Sequence, residues 1–109
     1  MLRFYWDDEV VPSIETPISD FFAIRHDQFA RLNSLAVIVN PRSGMNCYWP
    51  MPFRRRARVT ITSDLPESIN VAYQITYAQT EVPDSAGYLH AQWRRAVTDR
   101  NNPDYVHPR

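Results

Sequence analysis

The stretch Ala57-Arg58-Val59-Thr60-Ile61-Thr62, followed by Val71-Ala72-Tyr73-Gln74-Ile75-Thr76-Tyr77-Ala78, decides the fold class. In the second run Val71, Tyr73, Ile75 and Tyr77 alternate with Ala72, Gln74, Thr76 and Ala78. A period of two carried by β-branched and aromatic residues is the pattern of a half-buried strand. Ala57, Val59 and Ile61 repeat it against Arg58, Thr60 and Thr62. Between the runs, Asp64-Leu65-Pro66-Glu67-Ser68 is turn chemistry. The two runs are therefore expected to form an antiparallel hairpin.

Outward from the hairpin the β signal continues. Leu2, Phe4 and Trp6 alternate with Arg3 and Tyr5, so the chain opens inside a strand. Ser13 to Ile18 is a further extended piece, with Pro17 at an edge or a strand end. Leu35 to Val39 is a short continuous apolar run, expected as a strand buried on both faces. Tyr88 to Val97 fits either a strand, with Leu89, Ala91 and Trp93 on one face, or a helix. One short helix is expected, capped by Asp20 and docked through Phe21, Phe22 and Ile24. The segment from Arg25 to Ser34 extends that helix or is loop, and Asn40-Pro41-Arg42-Ser43-Gly44 is a loop. Short strands with turn signals at fairly regular spacing favour an all-β jelly roll or β-sandwich over a parallel sheet. That domain is expected over residues 1–97, with an irregular tail over residues 98–109.

Composition excludes several classes. At 109 residues and 44% hydrophobic content the chain supports one modest core. Its formal net charge is zero, so no global field steers it to nucleic acid or to an acidic membrane. No stretch approaches the length of a membrane span, and Met1 to Glu9 has no apolar signal-peptide core. Cys47 is the single cysteine, so an internal disulfide is excluded and the compartment stays open. His26, His90 and His107 are scattered without metal-ligand spacing, so no zinc site is expected. A phosphate-binding glycine loop is absent.

Four groups of residues remain as carriers of chemistry. Asp7, Asp8, Glu9 and Glu15 form an acidic corner after the first strand, where a solvated turn is the ordinary explanation. Asp7 directly follows Trp6, however, and a carboxylate beside an indole suits a sugar: hydroxyls bind the acid and ring faces stack on the aromatic. The run Cys47-Tyr48-Trp49-Pro50-Met51-Pro52-Phe53-Arg54 is too stiff for a helix, because each proline lacks a donor and fixes φ. Its aromatics either plug the core or wall a pocket. Arg54, Arg55, Arg56 and Arg58 invite a nucleic-acid reading, which the zero net charge argues against. On a strand, His90, Gln92 and Arg94 share one side and can read hydroxyls, with Trp93 beside them.

In order along the chain, four blocks resemble one family. They are Leu2 to Glu9 with Pro12 to Phe22; Asn46 to Arg54 with the strand Ala57 to Thr62; Tyr73 to Tyr77; and His90 to Arg95. These resemble glycoside hydrolase family 172, long classed as a domain of unknown function. The family usually has glycine in the turn after Asp7, where Asp8 stands in this chain, and aspartate tolerates left-handed φ better than most residues.

The resemblance implies a jelly roll that is an incomplete part of a tandem double jelly roll. It also implies a full-length homo-oligomer, trimer or hexamer. The implied activity is retaining hydrolysis or transglycosylation of α-D-fructofuranosides or α-D-arabinofuranosides, with two carboxylates and no cofactor. The catalytic glutamates of the family are associated with a Gly-Thr-Gly-Thr-Glu-Asp-Tyr-Phe motif that this sequence lacks. Catalytic residues are therefore not carried over. A furanose-containing carbohydrate is the expected partner, with Asp7, Tyr48, Trp49, Arg54, His90, Gln92 and Trp93 as the residues expected to face it. The alternative is a non-catalytic jelly-roll module that binds carbohydrate or serves assembly.

Overall fold

A computed structural model describes residues 1–24, 31–40 and 44–95. The central element is β1 (Leu2–Trp6), and its sequence explains its place. Leu2, Phe4 and Trp6 project to one face, where Leu2 and Trp6 are buried. On one side β1 pairs antiparallel with β2 (Ile14–Thr16), setting Phe4 opposite Ile14 and Leu2 opposite Thr16. On the other side lies the strand Ala57–Ile61, also antiparallel, with Phe4 opposite Val59 and Leu2 opposite Ile61. Each apolar residue of β1 thus faces an apolar or β-branched neighbour across the ladder, the pairing that stabilises sheets.

The outer face of β1 follows the same register. Arg3 lies opposite Glu15, and its Nε donates to Glu15 Oε1 at 2.7 Å. Tyr5 lies opposite Arg58, whose guanidinium carbon sits 3.7 Å above the ring centroid.

After β2, Pro17 ends the ladder and opens a single helical turn, α1 (Ile18–Phe21). Asp20 sits inside that turn, and no side chain caps it. The expected Asp20 cap is thus corrected: proline at the N-cap position already fixes the entry angle of the chain. The exit is a Schellman motif. Ile24 N–H donates to Ser19 O at 2.8 Å and Ala23 N–H to Asp20 O at 3.1 Å, with Ala23 left-handed at φ 58°.

A second sheet follows, a meander of β3 (Leu32–Asn33), β4 (Val37–Asn40) and β5 (Gly44–Cys47). The first sheet has the order β6-β1-β2-β7, where β6 is Ala57–Ile61 and β7 is Ala91–Gln92, parallel to β2. Leu2, Trp6, Ile14 and Phe21 form one core cluster, and Ile24, Val37 and Val39 form a second. Phe22 packs against both, while Cys47 of β5 packs against the first. The architecture is an all-β sandwich with one short helix. None of the described helices is long and apolar enough to cross a membrane.

Three expectations are corrected. Residues 71–78 form no strand, every residue from 61 to 81 is exposed, and the expected hairpin is absent. β6 instead uses its alternation against β1. The Leu35 to Val39 run is not buried on both faces. Leu35 is fully exposed in the bend before β4, and Val37 and Val39 alone turn inward. A type-2 repeat inside β4, not a two-sided strand, results because one face of a three-stranded meander is open. Finally, β7 is only two residues long, so the run from Tyr88 contributes a brief pairing to β2 and not a long strand. Residues 25–30, 41–43 and 96–109, on which the expected helix extension, the expected Asn40–Gly44 loop and the expected tail fall wholly or in part, lie outside the described residues.

Candidate functional site

Asp7 ends β1 and organises the turn beyond it. Its backbone is left-handed at φ 44°, and Asp8 follows at φ 71°. This carries the carboxylate into the mouth of the Arg54–Arg56 turn. The backbone N–H of Arg54 donates to Oδ2 at 2.9 Å, and those of Arg55 and Arg56 donate to Oδ1 at 2.5 and 3.0 Å. Three successive N–H groups around one anion make a backbone nest. The Tyr88 hydroxyl adds a fourth donor, to Oδ2 at 2.7 Å. In return Asp7 N–H donates to Arg56 O at 2.9 Å. Desolvation acts to raise the Asp7 pKa, but the Tyr88 hydroxyl and the three N–H groups outweigh it and hold the carboxyl well below its usual range.

Arg54 belongs to the same assembly. Its Nη2 donates to the carbonyls of Pro83, Asp84 and Ala86 at 3.2, 3.3 and 3.0 Å. Its guanidinium lies 5.1 Å from the Tyr88 ring centroid. Trp6 Nε1 donates to Leu89 O at 2.9 Å, tying the same 83–89 segment to β1. Asp8 pairs outward with Arg55 and, at 2.6 Å, with Arg56. Its hydrogen bond raises the Arg55 pKa further. These exposed pairs add little stability.

The aromatic residues converge elsewhere. Trp49, Gln92 and Trp93 line an open depression of about 240 Å³ together with Thr16, Asp20, Phe21 and Ala91. Its floor comes from the end of β2 and from α1, and one side comes from β7. Trp49 meets Phe21 edge-on at 6.1 Å and keeps 40% of its surface exposed, while Trp93 keeps 43%. A second open hollow, of about 300 Å³, is lined by Tyr5, Asp8, Glu9, Val10, Arg56 and Arg58. Among the described residues no group of three His, Cys, Asp or Glu is placed to hold a metal.

The seven residues singled out from sequence therefore divide. Asp7 and Arg54 meet in the internal clamp, where both are engaged with the fold itself. Trp49, Gln92 and Trp93 meet in the depression. Tyr48 and His90 are exposed and line neither hollow. Tyr88, the fourth donor to Asp7, carries no local signal, since its partner is 81 positions away. Thr16 and Asp20 join the depression only because β2 and α1 fold beneath Trp49. Of the aromatic corner, Phe53 stacks on Trp6 at 6.4 Å and Met51 packs on the core, while Tyr48 and Trp49 face outward. That corner both plugs the core and walls a hollow.

The protein is of the all-β sandwich class, with an outward aromatic corner and a short β1–turn–β2 lead. The chain belongs to glycoside hydrolase family 172: the family model described as GH172 domain-like matches residues 1–76. The match takes in β1 through β6, the Asp7 turn and Trp49, and it ends before Gln92 and Trp93. No curated protein and no solved structure matches the chain.

Proposed function

We propose that this domain supplies scaffold and one sugar-facing wall to a retaining furanosidase acting on α-D-fructofuranosides or α-D-arabinofuranosides. Membership of the family supports the enzyme class. The observation that carries the wall is the meeting of Trp49, Trp93, Gln92 and Asp20 around one open depression. Two half-exposed indoles offer apolar faces to a furanose ring, and Gln92, Asp20 and Thr16 offer hydrogen bonds to its hydroxyls. Asp7 and Arg54 line neither hollow and fix the turn and the segment 83–89. Retaining chemistry requires a nucleophile and an acid/base roughly 5 Å apart. None of the described carboxylates is assigned to either role. Asp7 is locked in its nest, Glu15 pairs with Arg3, and Glu9 accepts from Ser13 Oγ at 2.6 Å. The full-length protein is proposed to be a homo-oligomer.

The test is a tryptophan-fluorescence titration with fructofuranosyl and arabinofuranosyl oligosaccharides. Saturable quenching that disappears in Trp49→Ala and in Trp93→Ala is expected. An unchanged response in both variants removes the wall. A second reading, a carbohydrate-binding module without catalysis, is favoured by one observation: among the described residues Asp20 is the single carboxylate lining the depression. Saturable binding with no release of nitrophenol from nitrophenyl furanosides by the full-length protein would select it.

A further inference from the structure

The two sides of the depression around Trp49 are held in unequal ways. Its floor is Thr16, Asp20 and Phe21, at the end of β2 and in α1, and Trp49 meets the buried Phe21 there. The other side is Ala91, Gln92 and Trp93, which depends on β7. β7 is two residues long, lies at the edge of its sheet and runs parallel to β2. Ala91 N–H donates to Ser13 O and Trp93 N–H to Glu15 O, each at 3.1 Å. Parallel pairing is the weaker kind, and this strand is shorter than strands ordinarily are. Such a pairing does not by itself fix two side chains opposite Trp49.

Polar ties immediately upstream, in residues 83–89, supply the hold. Arg54 grips the carbonyls of Pro83, Asp84 and Ala86, and Trp6 Nε1 grips that of Leu89. Among the described residues Tyr88 is the one member of the segment whose side chain bonds back to the sheet. Its hydroxyl donates to Asp7 Oδ2 at 2.7 Å, three residues before Ala91. Asp7 does not follow the segment, because the N–H groups of Arg54, Arg55 and Arg56 hold it between β1 and β6. A hydrogen bond to an ionised acceptor is stronger than a neutral one. The Tyr88 ring packs on the first core cluster and lies against the Arg54 guanidinium. Ring and hydroxyl together set the place and angle at which the chain enters β7.

We infer that Tyr88 is a positioning residue for the depression: its hydroxyl, anchored on Asp7, sets Gln92 and Trp93 opposite Trp49. The consequence for sugar binding rests on the proposed sugar-facing wall, whereas the positioning itself is measurable without sugar.

The test is Tyr88→Phe in the 109-residue chain, read by amide hydrogen exchange. Phenylalanine keeps the ring and removes the hydroxyl alone. Protection of the Ala91 and Trp93 amides is expected to fall about tenfold or more, the scale of a lost bond to a charged group, while the β1–β6 ladder keeps its protection. A loss spread evenly over both sheets, or a chain that no longer folds, means that the hydroxyl supports the whole fold and overturns the inference. So does unchanged protection at 91 and 93, or none there in the wild type. Titration with arabinofuranosyl and fructofuranosyl oligosaccharides separates the two claims. If the competent arrangement falls to about a tenth, Kd rises about tenfold with the saturating quench of tryptophan fluorescence unchanged. An equal Kd in wild type and variant overturns the role of Tyr88 at the site. No quench in the wild type removes the sugar-facing wall, and the exchange data then decide the positioning alone.

Discussion

β1 and residues 71–77 carry the same pattern and meet opposite fates. Leu2, Phe4 and Trp6 alternate with polar-edged residues, as Val71, Tyr73, Ile75 and Tyr77 do. β1 has a neighbour on each side and an aromatic lid formed by Phe21 and Phe53. Its Trp6 is 2% exposed, whereas Tyr73 is 82% exposed. Alternation states which residues will share a face. It does not state whether a neighbouring strand arrives to cover that face. β1 recruits β2 and β6 because its inward side chains match theirs rung by rung, whereas none of the described strands pairs with residues 71–77.

The largest effect is expected at the buried end of this comparison. Trp6→Ala removes the stack on Phe53, the contact with Phe4 and the Nε1 bond to Leu89 O. Loss of a buried aromatic of this size costs about 3–5 kcal/mol. Urea denaturation should register that loss, or show a chain that no longer folds. A loss below about 1 kcal/mol, the scale of a surface change, would mean that β1 is not the organising strand.

Asp7 comes next, because its nest closes the open end of β1 onto the Arg54–Arg56 turn. Asp7→Asn replaces one acceptor oxygen by a donor that faces N–H groups. Hydrogen bonds to a charged group contribute about 1.5–3 kcal/mol, so a loss in that range is expected at neutral pH. The pH dependence carries the sign. The folded carboxyl has a depressed pKa, so its stabilisation is fully present above the unfolded value near ~3.9 and is lost as pH falls below it. Thermal midpoints of the wild type should therefore fall more steeply than those of Asp7→Asn as pH is lowered from about 4 downward. Parallel acid limbs for the two proteins would show that Asp7 is not the anion that holds the turn.

What the sequence discloses follows the same physical division. The strands β1, β2 and β6 are legible because their alternation is satisfied by near neighbours in the sheet. The ends of β4 are misjudged because Leu35 matches its neighbours in hydropathy, and only the open face of the meander separates them. The α1 entry is misjudged because aspartate is a common cap, while Pro17 had already set the backbone. At the candidate site the aromatic corner is conspicuous in sequence, and Trp49, Gln92 and Trp93 do converge. Thr16, Asp20 and Tyr88 are invisible there, since each acts through a partner far along the chain. Asp7 is conspicuous as an acid beside an aromatic. Its engagement with three backbone N–H groups is not, because backbone donors leave no trace in composition.

A smaller effect, of opposite sign, is expected at Ala23. This residue holds the left-handed position of the Schellman motif that turns the chain from β2 toward the second sheet. A side chain there costs about 1 kcal/mol relative to glycine, which takes positive φ freely. Ala23→Gly should raise the denaturation midpoint, and Ala23→Val should lower it, since β-branching crowds the same conformation. If both lower the midpoint, the motif does not govern the exit of α1.

The smallest effect tests the other member of the comparison. Tyr73→Ser removes an aromatic from a perfectly alternating run, yet one copy of the chain has nothing packed on it. Measured by urea denaturation at high dilution, the change should stay within about 0.5 kcal/mol, as surface substitutions do. The contrast with Trp6→Ala is then nearly the whole value of a covered aromatic, read from two positions with the same sequence pattern. A loss above about 1 kcal/mol at high dilution would place residues 71–77 against the fold of their own chain, and the difference between the two regions would collapse.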